Sequence, residues 1–278
     1  MTIRYSLNYS PPAAALVAEG VIDIDLFKCP ASWDPVVQEH RPHLVDEARA
    51  VRPVYIHFPL NVLNLANVDW HAVDHALSTT ETAFVNVHLM ATTADFPDID
   101  PASVDKAECD RLAEALIEGV GRMTARYGAG KVIAENVVYG GRRYKVLRAC
   151  AEPSVLRDVI DATGCGLLLD LAHARLTCNV QNIDVRAYVE ALPVASLREL
   201  HVTGTGYEDR LRDSMPMNDG DWELVGWAAE RIRRGDWSMP WAVAFEYGGI
   251  GPVFDWRSDP AVIAAQWPKL RAALQHGE

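Results

Sequence analysis

The 278-residue sequence lacks several features that would assign it to a broad class. No run of about 20 apolar residues occurs, so the sequence predicts no membrane-spanning helix. The segment MTIRYSLNYSPP has no basic stretch followed by an apolar one, so we expect no secretory signal. The five cysteines are scattered and never form a CxxC pair, which argues against a disulfide framework and a thiolate zinc site. We therefore expect small buried thiols in a cytoplasmic protein.

Positive charge is also scarce. The chain has 26 lysines and arginines against 38 aspartates and glutamates, giving a net charge of −12 and a pI of about 5.2. A broad basic surface for nucleic acid is not indicated. We expect neither nucleic acid nor a membrane as partner.

Short β-rich segments alternate with segments of helical periodicity. The predicted strands are 3–7, 22–27, 54–58, 83–89, 132–136, 166–170, 197–202 and 242–246, and the predicted helices include 33–50, 106–127, 153–162, 185–192, 222–234 and 260–274. Eight strand–helix repeats predict an α/β fold, a single (β/α)8 TIM barrel spanning residues 1–278 as one domain. A doubly wound open sheet is the main alternative, but it usually has fewer strands and a glycine-rich first turn, which is absent here.

Polar side chains stand at the predicted carboxyl ends of six successive strands, where the active sites of such barrels form. They are His57 in IHF, His88 in VHL, Glu135 and Asn136 in AEN, Asp170 and His173 in LLLDLAH, His201 in LHV and Glu246 in FEY, with Asp213 in the loop DSMPM. A single histidine at a strand end is more often a hydrogen-bonded rim residue. Six such ends that converge on one axis would be costly without compensating charge. Imidazole plus carboxylate is the ligand set of zinc, iron and manganese, so the sequence predicts a metal cluster.

Four segments carry a family resemblance that covers nearly the whole chain in element order. AENVVY is similar to the Glu-Asn-x-Ser-Ser-Tyr motif of the multinuclear non-haem iron oxidases, and LLLDLAHARLTCN is similar to their Leu-Leu-Asp-x-Asn-Asn strand. LRELHVTG resembles their Glu-Ile-His-Leu-x-Gly segment, and DSMPMNDGDW resembles their Asp-x-His loop followed by a Trp-containing helix. The chain thus resembles the xylose isomerase-like TIM barrels, in the branch that also contains endonuclease IV.

The resemblance implies two complete metal sites. His57, His88 and Glu135 would hold one ion, and Glu135 would bridge to a second ion held by Asp170, His201 and Glu246. A third site would use His173, Asp213 and a histidine two residues further on, where this chain has Met215. A thioether is a poor ligand for zinc or iron compared with imidazole, so a third ion would depend on water and substrate. His173 also departs from the oxidases, which usually have Asn there, and agrees with endonuclease IV and the sugar epimerases.

The first functional hypothesis is an iron-dependent oxidase or oxygenase that acts on a small molecule or a peptide side chain through two metal ions. Iron is favoured by the resemblance, and zinc and manganese remain open. Catalysis is assigned to Glu135, Glu246, His173 and Asp213, and substrate contacts to Asn136, Arg210, Arg212, Met215 and Tyr247.

Three alternatives remain open. A sugar or sugar-phosphate isomerase or epimerase would use one divalent ion, with Glu135 and Glu246 moving the proton, and would leave His57 and His88 without an evident role. An abasic-site endonuclease would need a three-zinc cluster, against which Met215 and the acidic charge both count. A non-enzymatic metal-binding protein or scaffold with a partner protein is the third.

Overall fold

The structure, a computed structural model, describes residues 2–207, 211–252, 254 and 257–275. The strands are β1 (Arg4–Asn8), β2 (Leu26–Pro30), β3 (Val54–His57), β4 (Val85–His88), β5 (Val132–Glu135), β6 (Gly166–Asp170), β7 (Leu197–Val202), β8 (Gly204–Tyr207), β9 (Leu211–Met215) and β10 (Ala242–Phe245). The helices are α1 (Pro11–Ala18), α2 (Pro35–His40), α3 (Leu44–Arg49), α4 (Trp70–Thr79), α5 (Lys106–Tyr127), α6 (Pro153–Thr163), α7 (Leu171–Gln181), α8 (Val185–Glu190), α9 (Asp219–Arg233) and α10 (Pro260–Gln275).

Eight of the ten strands form one sheet. Their hydrogen-bonding order is β3-β2-β1-β10-β7-β6-β5-β4, and β8 pairs only with β9 in a separate antiparallel hairpin. The ladders β1–β2, β2–β3, β1–β10, β4–β5 and β5–β6 are parallel. Chain order is kept around the sheet, with β10 lying beside β1, as in a (β/α)8 barrel. The predicted eight-stranded parallel sheet is confirmed.

The chain divides into two compact units. The first comprises Met1–Pro59, Asp69–Ala83 and Leu200–Glu278. In it, β1 lies between β2 and β10, with Leu7 opposite both Phe27 and Phe245. The outer side of β3 is bordered by the segment before β4. Glu81 donates its backbone N–H to the Val54 carbonyl at 2.8 Å, and Ile56 donates to the Thr82 hydroxyl oxygen at 2.8 Å.

The second unit comprises Leu60–Val68 and Phe84–Glu199. Every residue of β5 and β6 is buried, as expected of parallel strands covered on both faces. The outer side of β4 is bordered by the segment that follows β3, because His88 donates its backbone N–H to the Leu60 carbonyl at 2.9 Å. Helix α5 can approach this segment closely because Gly119 has no side chain. A Cβ there would lie 2.5 Å from the Val62 carbonyl oxygen.

The predicted helix 33–50 is wrong as a single element, since α2 and α3 replace it. Proline restricts the residue before it to extended backbone and cannot donate the helical hydrogen bond. Arg41, which precedes Pro42, has φ −155° and ψ 67° and ends α2.

The bounds of the predicted strand 22–27 are also wrong. Residues 22–25 alternate apolar and acidic side chains like a strand, yet β2 starts only at Leu26. The Asp25 carboxylate accepts the Tyr5 backbone N–H at 2.7 Å, while the Asp25 N–H donates to the Tyr5 carbonyl at 2.9 Å. This pair fixes the point from which β2 runs beside β1. Consequently β2 extends to Pro30, and Lys28 lies near its carboxyl end.

The segment predicted as the loop around Asp213 is instead the β8–β9 hairpin, whose tip, residues 208–210, lies outside the described residues. Gly204 is required at its base, since a Cβ there would lie 2.1 Å from the Pro216 carbonyl oxygen. Ser214 has a positive φ of 53° beside the irregularity in the pairing.

The structure bears on two further expectations, which concern the cysteines and membrane-spanning helices. All five cysteines are buried, as predicted, and burial raises the pKa of Cys29, Cys150 and Cys178. Within the described part of the chain, no helix combines the length and apolarity needed to cross a membrane.

A capping box joins α9 to the hairpin. Asn218 accepts the Gly220 and Asp221 N–H groups, and the buried Asp221 carboxylate accepts the Asn218 N–H at 2.9 Å. Asp221 also accepts the Thr205 backbone N–H at 3.2 Å and the Thr205 hydroxyl at 3.0 Å. This carboxylate therefore holds the helix start and β8 together.

Replacing Asp221 by Ala leaves three donors without this acceptor, so we expect a loss of about 2 kcal/mol in the free energy of unfolding, measured by urea denaturation. The control is Asp219→Ala, an exposed acidic residue in the same first turn. We expect this change to cost less than about 0.5 kcal/mol. Equal losses for both variants would contradict the assignment.

Candidate metal centre

The second unit holds a cluster of acidic and imidazole groups at the carboxyl ends of β5 and β6. Glu135, Asp170 and His173 each offer one ligand atom, and these atoms all lie within 4.8 Å of one another. Glu135 is 2% exposed and Asp170 is fully buried. Two carboxylates this deep in protein carry a large desolvation cost unless a cation compensates them.

The D-x-x-H spacing has a local structural cause. Strand β6 ends at Asp170 and passes directly into α7, for which Asp170 is the N-cap residue. Its Oδ1 accepts the backbone N–H of His173 at 2.8 Å. The N-cap and the third helical position lie on the same side of a helix start. The His173 ring consequently returns toward the carboxylate, with Nε2 3.5 Å from Asp170 Oδ2.

Backbone carbonyls orient both imidazoles of this cluster. His88 Nδ1 lies 3.0 Å from the Leu60 carbonyl oxygen, and His173 Nδ1 lies 2.8 Å from the Asn136 carbonyl oxygen. A carbonyl only accepts, so each Nδ1 carries a proton, and in the neutral imidazole the Nε2 lone pair is then free to bind a metal. His88 Nε2 then points at Glu135 Oε2, 3.2 Å away. This is the arrangement in which outer partners fix the tautomer of metal-binding histidines.

Asn136 positions the cluster through its bonds to the Asp170 backbone. Its side chain is fully buried, its Nδ2 donates to the Asp170 carbonyl at 3.0 Å, and its Oδ1 accepts the Asp170 N–H at 2.8 Å. These reciprocal bonds tie the end of β5 to the end of β6. The substrate contact expected of Asn136 stays a prediction.

The donor set fits a divalent transition metal. Two carboxylates, an Nε2 lone pair on His88 and another on His173 provide the oxygen and nitrogen ligands that zinc, iron and manganese accept.

The first unit holds a second set of expected ligands at the ends of β3, β7 and β10. The His57 and His201 rings lie 5.3 Å apart between centroids, and His201 Nδ1 lies 3.0 Å from Glu246 Oε1. His201 is fully buried. The structure therefore brings these three predicted residues together.

Lys28 joins this set, and the sequence reasoning missed it. Its ammonium forms an ion pair with Glu246 Oε1, and both side chains are mostly buried, at 7% and 13% exposure. Lysine is rarely buried unless it is paired. The available signal was a lone lysine between apolar residues in LFKCP, but the predicted strand stopped at residue 27.

The remaining predicted residues lie around the β8–β9 hairpin and after β10. The Asp213 carbonyl accepts a bond from Arg257 Nη1 at 2.6 Å, so the buried Arg257 is a second residue that the sequence did not reveal. Met215 faces Gly206, with Cγ 3.3 Å from where a Cβ would stand. Tyr247 is 2% exposed, and burial raises its pKa.

Arg210 lies outside the described residues, and Arg212 lies opposite Gly206 in the hairpin. The catalytic, metal-binding and substrate-binding roles assigned to individual residues all stay predictions.

Comparison with known proteins decides the family. Residues 37–241 match the family described as "RiPP precursor modification enzyme MbnB/TglH/ChrH", where RiPP denotes a ribosomally synthesised and post-translationally modified peptide. The chain belongs to this family. The family is one of metal-dependent TIM-barrel enzymes, in agreement with the resemblance read from the sequence.

The chain is also similar to a curated relative and to two solved structures. "UPF0276 protein RB0508" of Rhizobium meliloti is 25% identical over 201 residues, a match that covers 70% of this chain and 58% of that protein. The 3-keto-D-glucoside 4-epimerase YcjR from E. coli has 14% identity and a TM-score of 0.55, covering 98% of this chain and 100% of its own.

A third solved structure is a "xylose isomerase-like TIM barrel/4-hydroxyphenylpyruvate dioxygenase fusion protein". It has 13% identity and a TM-score of 0.55, covering 98% of this chain and 44% of the fusion protein. At these identities the likeness concerns the fold, and the predicted (β/α)8 fold class is confirmed.

Asp170 is expected to act both as helix cap and as metal ligand, and two substitutions separate the roles. Asparagine caps as well as aspartate, so metal-free Asp170→Asn should unfold within about 1 kcal/mol of metal-free wild type, whereas Asp170→Ala should lose about 1 kcal/mol more. Both should lose bound metal, measured by plasma mass spectrometry.

The matched control is Asp184→Asn. Asp184 caps α8 by accepting the Ala187 N–H at 2.7 Å and is exposed. This variant should keep its metal. Wild-type metal content in Asp170→Asn would contradict the ligand role.

Lys28→Met tests the ion pair. Removing the ammonium leaves the Glu246 carboxylate without its nearest cation, so the metal-free protein should lose about 3 kcal/mol of its free energy of unfolding. The double variant Lys28→Met/Glu246→Gln should recover most of that loss. A loss below about 1 kcal/mol in the single variant, by urea denaturation, would show that Lys28 does not compensate Glu246.

Proposed function

We propose that this chain is a metal-dependent oxidoreductase that oxidises a side chain of a peptide precursor, using two metal ions of which iron is favoured. The observation that carries the proposal is the family match over residues 37–241, whose description names precursor modification. The buried carboxylate and imidazole groups at the strand ends support metal binding. The match covers only 58% of the Rhizobium meliloti protein. The substrate and the activity are therefore proposals for this chain.

The metal ligands in this proposal are those expected from the sequence. His57, His88 and Glu135 would hold one ion, and Glu135, Asp170, His201 and Glu246 would hold the other. When bound, iron supplies the electron-transfer chemistry that lets dioxygen oxidise the substrate. The third position stays incomplete because Met215 replaces an imidazole.

The chain's own residues perform the remaining tasks. Leu60 and Asn136 carbonyls hold His88 and His173 with Nε2 facing the cluster. Lys28 keeps the charge on Glu246 balanced within a buried site. His173 and Asp213 take part in catalysis, and Glu135 or Glu246 holds the proton removed from the substrate.

We propose that five residues contact the substrate: Asn136, Arg210, Arg212, Met215 and Tyr247. We further propose that the protein acts in the cytoplasm, because its cysteines are free and a reducing compartment preserves thiols.

An epimerase acting on a sugar or sugar phosphate is the second candidate. Structural likeness to a sugar epimerase favours it, and His173 agrees with that group. Such an enzyme would use one divalent ion with Glu135, Asp170, His201 and Glu246. It gives no task to His57, whose ring lies next to His201, so the family match carries more weight.

Metal analysis and Mössbauer spectroscopy of anaerobically purified protein test the proposal. We expect about two irons per chain and a spectral change on exposure to dioxygen, since the proposal assigns a full ligand set to each of two ions. One manganese or zinc per chain with no response to dioxygen would overturn the oxidase and favour the epimerase.

Variants in the first unit locate the ions. His57→Ala and Glu246→Ala should each reduce bound iron by about half or more while the far-ultraviolet circular dichroism is unchanged. His75→Ala, an exposed histidine on α4, is the control and should retain all of it. Full occupancy in His57→Ala would contradict the first site.

A further inference from the structure

A cavity of about 190 Å³ opens beside the second ligand set and has no task in the chemistry above. It lies within the first unit, against His57 of β3, Lys28 of β2 and Asn8 of β1. Each of these residues stands at or near the carboxyl end of its strand, the edge at which barrel enzymes bind substrate. The cavity therefore adjoins the metal ligands and faces the reactive side of the fold.

The walls of the cavity are largely hydrocarbon. Tyr9, Val37 and Ile250 line it and are at most 6% exposed, and the exposed Val36 lines it as well. Such walls favour an apolar or aromatic group, which gains free energy by leaving water.

The polar groups along the walls are already bonded to the protein. Asn8 Nδ2 donates to the Gly248 carbonyl at 3.3 Å, and Asp34 Oδ1 accepts the Val36 N–H at 2.9 Å. The Tyr9 hydroxyl donates to Glu47 at 3.1 Å, and burial, with Glu47 beside it, raises the pKa of Tyr9 to about 12. These bonds take up part of the hydrogen-bonding capacity that a ligand rich in hydroxyl groups would need.

Close backbone packing fixes the shape of the cavity. Gly251, with φ 79°, lets the loop after β10 approach α2, since a Cβ there would lie 2.7 Å from Val36 Cγ1 and 3.0 Å from His40 Cδ2. Gly248 has φ 88° and would place a Cβ 3.0 Å from the Ser258 hydroxyl. A cavity held by such contacts is formed before any ligand binds, which favours selective binding.

The size of the cavity limits its occupant. Pockets that enclose a whole drug-sized ligand measure about 300–1,000 Å³. At about 190 Å³, this cavity fits a single side chain rather than a peptide segment.

We propose that the cavity is a specificity subsite that binds one apolar or aromatic side chain of the peptide substrate, next to the residue that is modified. The inference rests on the proposed function for the identity of the substrate as a peptide. Its ligand chemistry follows from the walls of the cavity alone, so the two can be tested apart.

The probes are N-acetyl amides of glycine, lysine, phenylalanine and tryptophan, titrated into the full-length zinc-loaded protein and followed by methyl NMR. The phenylalanine amide should shift the methyl signals of Val36, Val37 and Ile250 saturably and bind about tenfold or more tightly than the glycine amide. Equal affinity for both amides, tighter binding of the lysine amide, or saturable shifts only at other methyls would overturn the inference.

Two variants alter the cavity in opposite senses. Val36→Trp reduces its volume and should abolish the preference for phenylalanine, whereas Ile250→Ala enlarges it and should move the preference toward tryptophan. Val180→Trp is the control, because Val36 and Val180 are both helical and 36% and 37% exposed. An unchanged phenylalanine-to-glycine affinity ratio in both cavity variants would also overturn the inference.

The same measurements separate this inference from the proposed function. Binding of the phenylalanine amide in a protein that holds no iron and does not respond to dioxygen would overturn the oxidoreductase and leave the subsite. Iron-dependent oxidation of peptides without any phenylalanine preference would overturn the subsite and leave the oxidoreductase.

Discussion

The burial of Glu135 and Asp170 at neighbouring strand ends is the constraint from which the rest of the site follows. Both carboxylates are almost fully shielded from water, and paired anions in such surroundings are stable only with compensating cations. Carbonyl oxygens turn the Nε2 atoms of His88 and His173 toward these carboxylates, so that imidazole nitrogens and carboxylate oxygens can bind the same cation. In the first unit, the Lys28 ammonium compensates the charge of the Glu246 carboxylate. Charge compensation thus links the fold of each unit to the chemistry it supports.

The strand ends were predictable from sequence because buried parallel strands are apolar throughout. In β5 and β6 the first ionised residue therefore marks the end of the strand, which identified Glu135 and Asp170 directly. The spacing of Asp170 and His173 was readable for the same reason, although its cause, the helix cap, needed the structure. Lys28 was not predicted as a site residue because residues 22–25 alternate apolar and acidic side chains as a strand does. The pairing of Asp25 with Tyr5, which only the structure shows, marks where β2 begins.

Other features depend on contacts between distant residues and leave no periodic signal. The β8–β9 hairpin around Asp213 forms where Gly204 meets Pro216 and where Asp221 accepts the Thr205 hydroxyl. Arg257, which donates to the Asp213 carbonyl, lies 44 residues away in a loop with no pattern of its own. Tertiary contacts of this kind override local propensity. Asn136 differs from these residues because its motif could be recognised from the local sequence. Its bonds to Asp170, which join two strands, are seen only in the structure.

The cavity beside His57 bears on the choice between the two candidate reactions. A sugar presents hydroxyl groups on most of its carbons and needs convergent polar partners, because a buried polar group left unbonded costs about 1–3 kcal/mol. The walls include the apolar side chains of Val37 and Ile250, and the Asn8, Asp34 and Tyr9 side chains are bonded within the protein. This lining favours an apolar group over a sugar. The family match over residues 37–241, whose description names precursor modification, supplies the peptide to which such a group would belong.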